Sequence, residues 1–268
     1  MLGSNGYHVL ILAGSRAGGE PFVVAEGKTL KATLDIAGKP MLSHVLETIH
    51  SWHGTRTVTI SLPDDAPLAQ EAPALKELIV QTSTGLVPTS TTPCKSVEKA
   101  LQQFHSNLEK EEPVLIVTGD APLLSHKILD EFTGQNTDPE TDFLAGLAKV
   151  EAVENAYPEV RRTRINLRGG AVGGCNLFIL NSNKAEKVVR FWQKLENNRK
   201  KPWRLAASFW MMVLYILRLL SLKQAQKGLE RQIGCRVRFA MLTDPHAAID
   251  VDKPKDLTLV RKILRDKK

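Results

Sequence analysis

Cysteine is scarce in this chain of 268 residues. The three cysteines, Cys94, Cys175 and Cys235, are odd in number and widely spaced. None belongs to a CxxC pair, and no histidine stands near them at the spacing of a zinc site. These absences argue against a disulfide framework and a structural zinc site. They favour a reducing compartment, and we expect a cytoplasmic protein.

The first residues show no basic leader pattern, so we expect no signal peptide. The sequence also has no internal repeats and no apolar run long enough to cross a membrane. The uncharged stretch from Leu205 to Leu217 is shorter than the roughly 20 residues that a bilayer requires. Trp, Phe and Tyr within it, and Arg204 and Arg218 beside it, leave two interpretations: a buried helix that caps a ligand site, or a helix in a membrane interface. No Pro-, Gly- or Ser-rich linker is present, so we predict a single domain of residues 1–268.

Positive charge is in excess, with 36 Lys and Arg against 29 Asp and Glu. Much of the excess lies between Arg161 and Arg204, where the acidic residues are Glu186 and Glu196. Such a region attracts anions, which include substrate phosphates, lipid headgroups and nucleic acid, unless it is simply a solvated face. No recognised nucleic-acid-binding motif accompanies it, so we expect no nucleic acid partner.

Short apolar runs alternate with helical patterns in the first half of the chain. The runs predict strands at residues 9–13, 58–62, 78–81 and 114–118, and the apolar spacing predicts helices at 40–52 and 96–108. This alternation is typical of a parallel sheet with helices on its faces. Ligands of such sheets bind at the carboxyl ends of the strands.

The second half predicts strands that extend or reverse the sheet. They cover residues 143–150, 161–167 and 175–180, and they precede a mostly helical, basic elaboration at about 184–233, a strand at 235–242 and a closing helix at 255–264. We therefore predict an α/β fold with a mixed, mostly parallel sheet flanked by helices and a basic helical insertion near the C-terminus.

A glycine-rich turn, LAGSRAGG, ends the first predicted strand. Small residues in such a turn let backbone N–H groups approach phosphate oxygens closely. The turn matches neither a Walker A loop nor GxGxxG, so a P-loop ATPase or a dinucleotide site is not supported. Alternatively, the glycines mark only a tight turn.

The residues after this turn carry a resemblance to a known family. Lys31 precedes a short apolar stretch, and residues 38–42, GKPML, open a helix. Further on stand PCKSVEKAL at 93–101, VLIVTGDAPLL at 114–124 and AIDVDKPKDL at 248–257. In this order the segments resemble the nucleotidyltransferases with a Rossmann-like GT-A fold, most closely the MobA-like, molybdenum cofactor guanylyltransferase-like NTP transferases.

The resemblance implies a Mg²⁺-dependent enzyme that transfers a nucleoside monophosphate from a nucleoside triphosphate to a phosphorylated small-molecule acceptor. It implies catalytic roles for Lys31, Asp120 and Arg16. Nucleotide binding would fall to Leu12, Ala13, Gly14, Ser15, Arg16, Lys31 and Ser96. Magnesium would be held by Asp120 and Asp252, with Asp250 as the competitor. Ser15 stands where the family has a second glycine, and Arg16 falls early in the loop.

The chemistry explains these residue types. Attack of one anion on another requires positioning and charge neutralisation rather than a covalent nucleophile. Mg²⁺ accepts few protein carboxylates and keeps water and phosphate as its other ligands. Asp120 has the alternative role of a turn carboxylate at a strand end, and Asp250 and Asp252 have that of capping the last helix.

Acceptor contacts are expected after the second run of strands. Arg162 and Arg164 lie beside a glycine-rich segment, and guanidinium groups suit bidentate phosphate contact. Asn176 is a candidate for an acceptor or ribose hydroxyl. Each has an ordinary alternative, exposed arginines for the first two and strand-edge packing for the third.

Three alternatives to the leading hypothesis stay open at this point. A sugar-1-phosphate nucleotidyltransferase would differ only in its acceptor. A nucleotide-binding module of the same fold without turnover would be consistent with the altered glycine loop. A peripheral membrane protein would use the helix predicted at 203–220 as its functional part. The oligomeric state is not predicted.

Overall fold

The computed structural model describes residues 6–14, 19–107, 112–160, 163–197 and 214–266. The elements up to residue 107 are β1 (Tyr7–Leu12), α1 (Pro21–Ala25), β2 (Asp35–Ile36), β3 (Lys39–Pro40), α2 (Met41–Ser51), β4 (Thr55–Leu62), α3 (Leu68–Glu71), α4 (Pro73–Gln81), β5 (Gly85–Pro88) and α5 (Pro93–Asn107). The later ones are β6 (Val114–Thr118), α6 (His126–Gly134), β7 (Phe143–Lys149), α7 (Val150–Ala156), β8 (Ile165–Leu167), β9 (Gly170–Leu180), α8 (Glu186–Asn197), α9 (Leu222–Ile233), β10 (Val237–Leu242) and α10 (Pro254–Asp266).

One large sheet organises the described residues. Its strands follow the order β10-β7-β9-β6-β1-β4-β5, and β8 pairs with β9 outside this path. β9 is antiparallel to both β6 and β7, whereas the other neighbours along the path are parallel. The carboxyl ends of β10, β7, β6, β1, β4 and β5 therefore meet at one edge, which we call the carboxyl edge.

Helices cover both faces of the sheet, and the strands are correspondingly apolar on both sides. In β1, Val9 and Ile11 belong to a core shared with α2, α4, α6 and α10, while Leu10 belongs to the opposite core with α5 and α8. All three side chains are fully buried. A continuous apolar run is the expected pattern for a parallel strand that has helices on both faces.

The order of the strands reverses between β1 and β6. From β1 the chain proceeds through α2 to β4 and β5 on one side, and β6 lies on the other side. Gly119 allows the two strand ends to approach, since its N–H donates to the carbonyl of Leu12 at 2.8 Å and a Cβ there would lie 3.1 Å from that of Ala13. Ligands of open α/β sheets bind at such switch points.

Most of the predicted elements are confirmed. The strands predicted at 9–13, 58–62, 114–118, 143–150, 175–180 and 235–242 correspond to β1, β4, β6, β7, β9 and β10, and the helices predicted at 40–52, 96–108 and 255–264 correspond to α2, α5 and α10. The α/β fold with a mixed, mostly parallel sheet flanked by helices is confirmed with them.

The strand predicted at residues 78–81 is wrong, because these residues end α4. Leu75 and Ile79, four residues apart, are its buried side chains, and this spacing is helical. The strand that pairs with β4 is β5, a few residues later.

Two further predictions fall partly outside the described residues. Of the strand predicted at 161–167, the structure shows β8 at its end, while residues 161–162 are not described. Of the helical elaboration at 184–233, it shows α8 and α9, while residues 198–213 are not described. Within the described ranges, no helix is both long and apolar enough to cross a membrane.

Candidate active site at the carboxyl edge

Lys31 opens a short 3-10 helix, Lys31–Thr33, in the connection between β1 and α2. The carboxylate of Glu71 holds this turn by accepting hydrogen bonds from the Thr29 N–H at 2.8 Å and from the Thr33 hydroxyl at 2.5 Å. Partial burial acts to raise the pKa of Glu71, but the hydrogen bonds from Thr29 and Thr33 outweigh it and lower the pKa. The backbone that carries Lys31 is thus fixed from α3.

The ammonium group of Lys31 lies between two carboxylates. Its Nζ is 2.6 Å from Asp120 Oδ2 and 3.0 Å from Asp252 Oδ1. Burial acts to lower the pKa of Lys31, but the charge and hydrogen bond of Asp120, with those of Asp252, raise the pKa above its ordinary value. Lys31 is therefore protonated at neutral pH, and we call these three residues the charged cluster.

Backbone contacts bring the two carboxylates of the charged cluster together. Asp120 directly follows Gly119 at the end of β6, and its carbonyl accepts a hydrogen bond from the Val251 N–H at 2.9 Å. The N–H of Asp252 donates to the carboxylate of Asp256 at the start of α10. Two segments distant in sequence are joined in this way at the carboxyl edge.

Asp250 contacts a different partner. Its Oδ2 accepts a hydrogen bond from the Asn176 side-chain amide at 2.8 Å. Asn176 has a φ of 51°, a left-handed conformation that Asn adopts more readily than most residues. It stands just before Leu177, the first residue of β9 that pairs with β6. Asn176 and Asp250, which we call the amide–carboxylate pair, thus lie at the same edge as Asp120.

The donor set at this edge fits a magnesium ion. The described residues contain no group of three or more His, Cys, Asp or Glu side chains that could hold a metal ion by themselves. Mg²⁺ does not need one, because it is usually bound by one or two carboxylates together with water and substrate phosphates. Asp120 Oδ1 is buried and has no hydrogen-bond partner among the described residues, so this oxygen has coordination capacity to spare.

The turn after β1 begins beside Gly119, which precedes Asp120. The Ala13 N–H donates to the carbonyl of Ser61 at 2.9 Å, and Gly14, which follows, is exposed. A Cβ at Gly14 would lie 3.1 Å from Cγ2 of Thr89, so a larger residue would crowd that side chain. Of the predicted nucleotide-binding residues, Ser15 and Arg16 lie outside the described residues.

Ser96 and Arg164 have protein partners in the structure. The buried hydroxyl of Ser96 accepts from the Ser90 N–H at 2.8 Å and donates to the carbonyl of Thr92 at 3.2 Å. It thereby orders the loop between β5 and α5. Arg164 is exposed and pairs with Glu154 at 3.2 Å. Arg162, the other predicted phosphate contact, lies outside the described residues.

A chain of polar contacts that no sequence motif predicts lies at the same edge. Tyr157 Oη lies 2.6 Å from His246 Nε2, and His246 Nδ1 lies 3.1 Å from Asp244 Oδ1. Burial raises the pKa of Tyr157, and the charges of Asp244 and Glu159 add to the effect. The signal was the position of His246, just after the last strand and four residues before Asp250.

Three solved structures share this architecture over nearly the whole chain. A hypothetical transferase from Thermus thermophilus is 25% identical, with a TM-score of 0.73 over 94% of this chain and 99% of that one. CMP:2-keto-3-deoxy-manno-octonic acid synthetase in complex with CTP is 16% identical, with a TM-score of 0.57 over 98% and 100% of the two chains. The 4-diphosphocytidyl-2C-methyl-D-erythritol synthase of Anaerococcus prevotii is 11% identical, with a TM-score of 0.59 over 97% and 99%.

The last two likenesses, at such low identity, show the fold alone. No curated protein sequence matches the chain. A family model for the MobA-like NTP transferase domain matches residues 9–157, more than half of the chain. The matched part contains the turn after β1, Lys31 and Asp120, while Asn176, Asp250 and Asp252 follow it. The chain therefore belongs to the MobA-like NTP transferase domain family.

Proposed function

We propose that this protein transfers a nucleoside monophosphate from a nucleoside triphosphate to a phosphorylated small molecule and releases pyrophosphate. The observation that supports this best is the charged cluster, in which Lys31 joins Asp120 and Asp252 beside the turn after β1. Membership of the MobA-like family supplies the reaction class. The cluster provides one cation and two carboxylates at the switch point of the sheet, where a triphosphate and a metal ion require them.

The reaction needs charge control more than covalent chemistry. An acceptor phosphate oxygen attacks the α-phosphorus and forms a P–O bond, while the bond to the oxygen that bridges the α- and β-phosphorus breaks and pyrophosphate leaves with its electron pair. Bound Mg²⁺, held by Asp120 and Asp252, would neutralise charge on the α-phosphate and on the leaving group. Lys31 is protonated and contacts both carboxylates, so it would bind the departing phosphates.

The amide–carboxylate pair is suited to orienting the acceptor. Asn176 donates to Asp250 with one N–H of its amide, which leaves a second N–H and a carbonyl oxygen as hydrogen-bonding groups. Arg164 and Arg162 are the proposed contacts for the acceptor phosphate, and Arg164 would exchange Glu154 for that phosphate. One of the structural neighbours was solved with CTP. A comparison of ATP, GTP, CTP and UTP identifies the nucleobase that this chain uses.

The test combines binding with turnover. Thermal unfolding is measured with Mg²⁺ and each of ATP, GTP, CTP and UTP, because a ligand of the native state raises the melting temperature by mass action. The nucleotide that gives a shift is then offered with phosphorylated acceptors, and pyrophosphate release is followed. Asp120→Asn should lose both signals, whereas Asp266→Asn, at the exposed end of α10, should keep them. Absence of a shift with all four nucleotides would contradict the proposal.

A second proposal concerns a membrane surface. Four large apolar side chains in the segment from Tyr215 to Leu219 are exposed, by 40% at Tyr215 and 69% at Ile216. The Arg168 N–H donates to the carbonyl of Leu220 at 3.0 Å, which attaches this segment to the β8–β9 turn at the carboxyl edge. Residues 163–170 and 214–224 contain basic but no acidic side chains. Apolar groups with basic neighbours suit anionic lipid headgroups.

Vesicle flotation tests this contact. We expect the protein to float with vesicles that contain phosphatidylserine and not with phosphatidylcholine alone, and high salt should weaken the binding. Replacement of Ile216 and Leu217 by Ser should abolish flotation, while Val80→Ser, an exposed apolar position on α4, should not. Flotation unchanged by the double substitution would refute the proposal. Self-association that the same substitution removes would instead assign the segment to a second copy of the chain.

A further inference from the structure

The charged cluster contains two carboxylates and, between them, a cation that belongs to the protein itself. Lys31 Nζ lies within 3.0 Å of an oxygen from each carboxylate. The side chains of Lys31 and Asp120 are only 11% and 19% exposed, whereas that of Asp252 is 48% exposed. Water therefore screens the contact between Lys31 and Asp120 poorly and reaches Asp252 more easily.

A divalent metal that enters this place must compete with the ammonium group. Two carboxylates that face one place, one of them largely buried, repel each other and need a compensating cation. With Lys31 present, that requirement is already met. If Mg²⁺ bound alone, Lys31 would have to give up its anionic partners or stay close to a doubly charged cation, and either result weakens the binding of the metal.

A nucleoside triphosphate removes this conflict. Its phosphates offer the ammonium group new anionic partners at the moment when they also complete the coordination of the metal. We propose that Lys31 acts as an internal counter-ion, which excludes divalent metal from Asp120 and Asp252 until a nucleoside triphosphate draws its ammonium group away. This proposal rests on the proposed function, and it makes metal and nucleotide binding mutually cooperative.

The structure lets this exchange occur through a side chain alone. The turn that carries Lys31 is held by Glu71 through Thr29 and Thr33. The backbone next to the carboxylates is held as well, since Val251 donates to the carbonyl of Asp120. The unbranched stem of lysine has four rotatable bonds, so its ammonium group can change partners while these backbone contacts persist.

Titration with Mn²⁺, followed by the electron paramagnetic resonance of the free ion, tests the proposal without turnover. The proteins are the wild type, Lys31→Met, Lys31→Gln and Lys39→Met. Lys39 pairs with Glu47 on the surface, so its replacement removes one positive charge and leaves the cluster intact. Each protein is titrated alone and with α,β-methylene analogues of the four nucleoside triphosphates.

Without nucleotide, we expect Lys31→Met and Lys31→Gln to bind Mn²⁺ at least tenfold more tightly than the wild type and Lys39→Met. With the analogue that binds, the wild type should gain at least tenfold in Mn²⁺ affinity, and the Lys31 variants should gain less. Melting temperatures provide a second measure, because Mn²⁺ alone should stabilise the Lys31 variants more than the wild type. Circular dichroism verifies that each variant is folded.

Two results would overturn the proposal, and they differ in what they leave standing. Equal Mn²⁺ affinity of the wild type and both Lys31 variants without nucleotide, with nucleotide-dependent binding intact, would refute the counter-ion role and keep the transferase proposal. Absence of Mn²⁺ binding in every protein, with or without any of the analogues, would refute both.

Discussion

The charged cluster and the amide–carboxylate pair use two residues of one motif for different purposes. Asp250 and Asp252 flank Val251, which is fully buried and whose N–H donates to the end of β6. Asp252 contacts the ammonium group of Lys31, and Asp250 contacts the neutral amide of Asn176. One carboxylate thus balances the positive charge of Lys31, and the other, two positions away, holds the side-chain amide of Asn176.

The two contacts also differ in how their partners are held. Lys31 reaches its carboxylates with a long side chain from a turn that Glu71 stabilises. Asn176 has a short side chain, and its position is set by a left-handed backbone where β9 separates from β6. The residue proposed to exchange ligands, Lys31, is therefore on a flexible side chain, and the residue proposed to orient the acceptor, Asn176, is on a constrained backbone.

The largest expected effect comes from Asp120→Asn. Asp120 is the less exposed carboxylate of the charged cluster, and its substitution removes the negative charge that both Lys31 and the proposed magnesium ion require. We expect the rate of pyrophosphate release to fall by roughly a hundredfold to a thousandfold, the usual effect of losing one preorganised charged group. Steady-state kinetics measure it. If Asp250→Asn lowered this rate by as much, the two contacts would not differ in their effect on turnover.

A paired substitution sharpens the comparison directly. Asp252→Asn should lower kcat by about tenfold or more, less than Asp120→Asn because Asp252 is half exposed and screened by water. Asp250→Asn should raise the KM for the acceptor and change kcat little, because it acts on orientation through Asn176. If both variants lowered kcat equally with unchanged KM, the division of roles would be wrong.

The proximity of Lys31, Asp120 and Asp252 could be predicted from sequence. Three short motifs contain them, and the structure brings Asp120 and Asp252 to one edge because β6 and β10 run in the same direction, while Lys31 reaches both carboxylates from the turn before α2. Hydrophobic runs on β1 and β6 determine that arrangement, since a strand buried on both faces must pair inside the sheet.

The remaining contacts depend on tertiary packing that no local pattern encodes. The pairing of Asn176 with Asp250 follows from the reversal of β9 and from a left-handed backbone, and neither is visible in its glycine-rich sequence. The partners of Ser96 and Arg164 likewise depend on how loops meet. Residues 78–81 predict a strand but end α4, because a short apolar run fits a strand and a buried helical face equally well.

Asn176 permits a smaller and more specific test. Asn176→Gly removes the amide and suits the left-handed backbone, whereas Asn176→Ala removes the amide and strains that backbone. Both should raise the acceptor KM to a similar extent. The free energy of unfolding of Asn176→Ala should be lower than that of Asn176→Gly by about 1 kcal/mol. Chemical denaturation separates the two, and equal stability would show that the backbone does not constrain this position.

The smallest expected effect belongs to Glu71, which supports only the Lys31 side of the comparison. Glu71→Gln should lower the free energy of unfolding by about 1 kcal/mol at neutral pH, because a carboxylate accepts the hydrogen bonds of Thr29 and Thr33 better than an amide does. The acceptor KM should be unchanged, since the amide–carboxylate pair is untouched.

The pH dependence gives this prediction a sign. The folded protein lowers the pKa of Glu71, so its contribution to stability is present above the pKa of an unfolded glutamate, about 4.3, and is lost as the pH falls through the lower folded value. Denaturation at neutral pH and below about pH 4 should therefore show the wild type losing more stability than Glu71→Gln. Equal losses of stability would mean that the carboxylate of Glu71 does not stabilise the turn that carries Lys31. Another contact would then have to position Lys31.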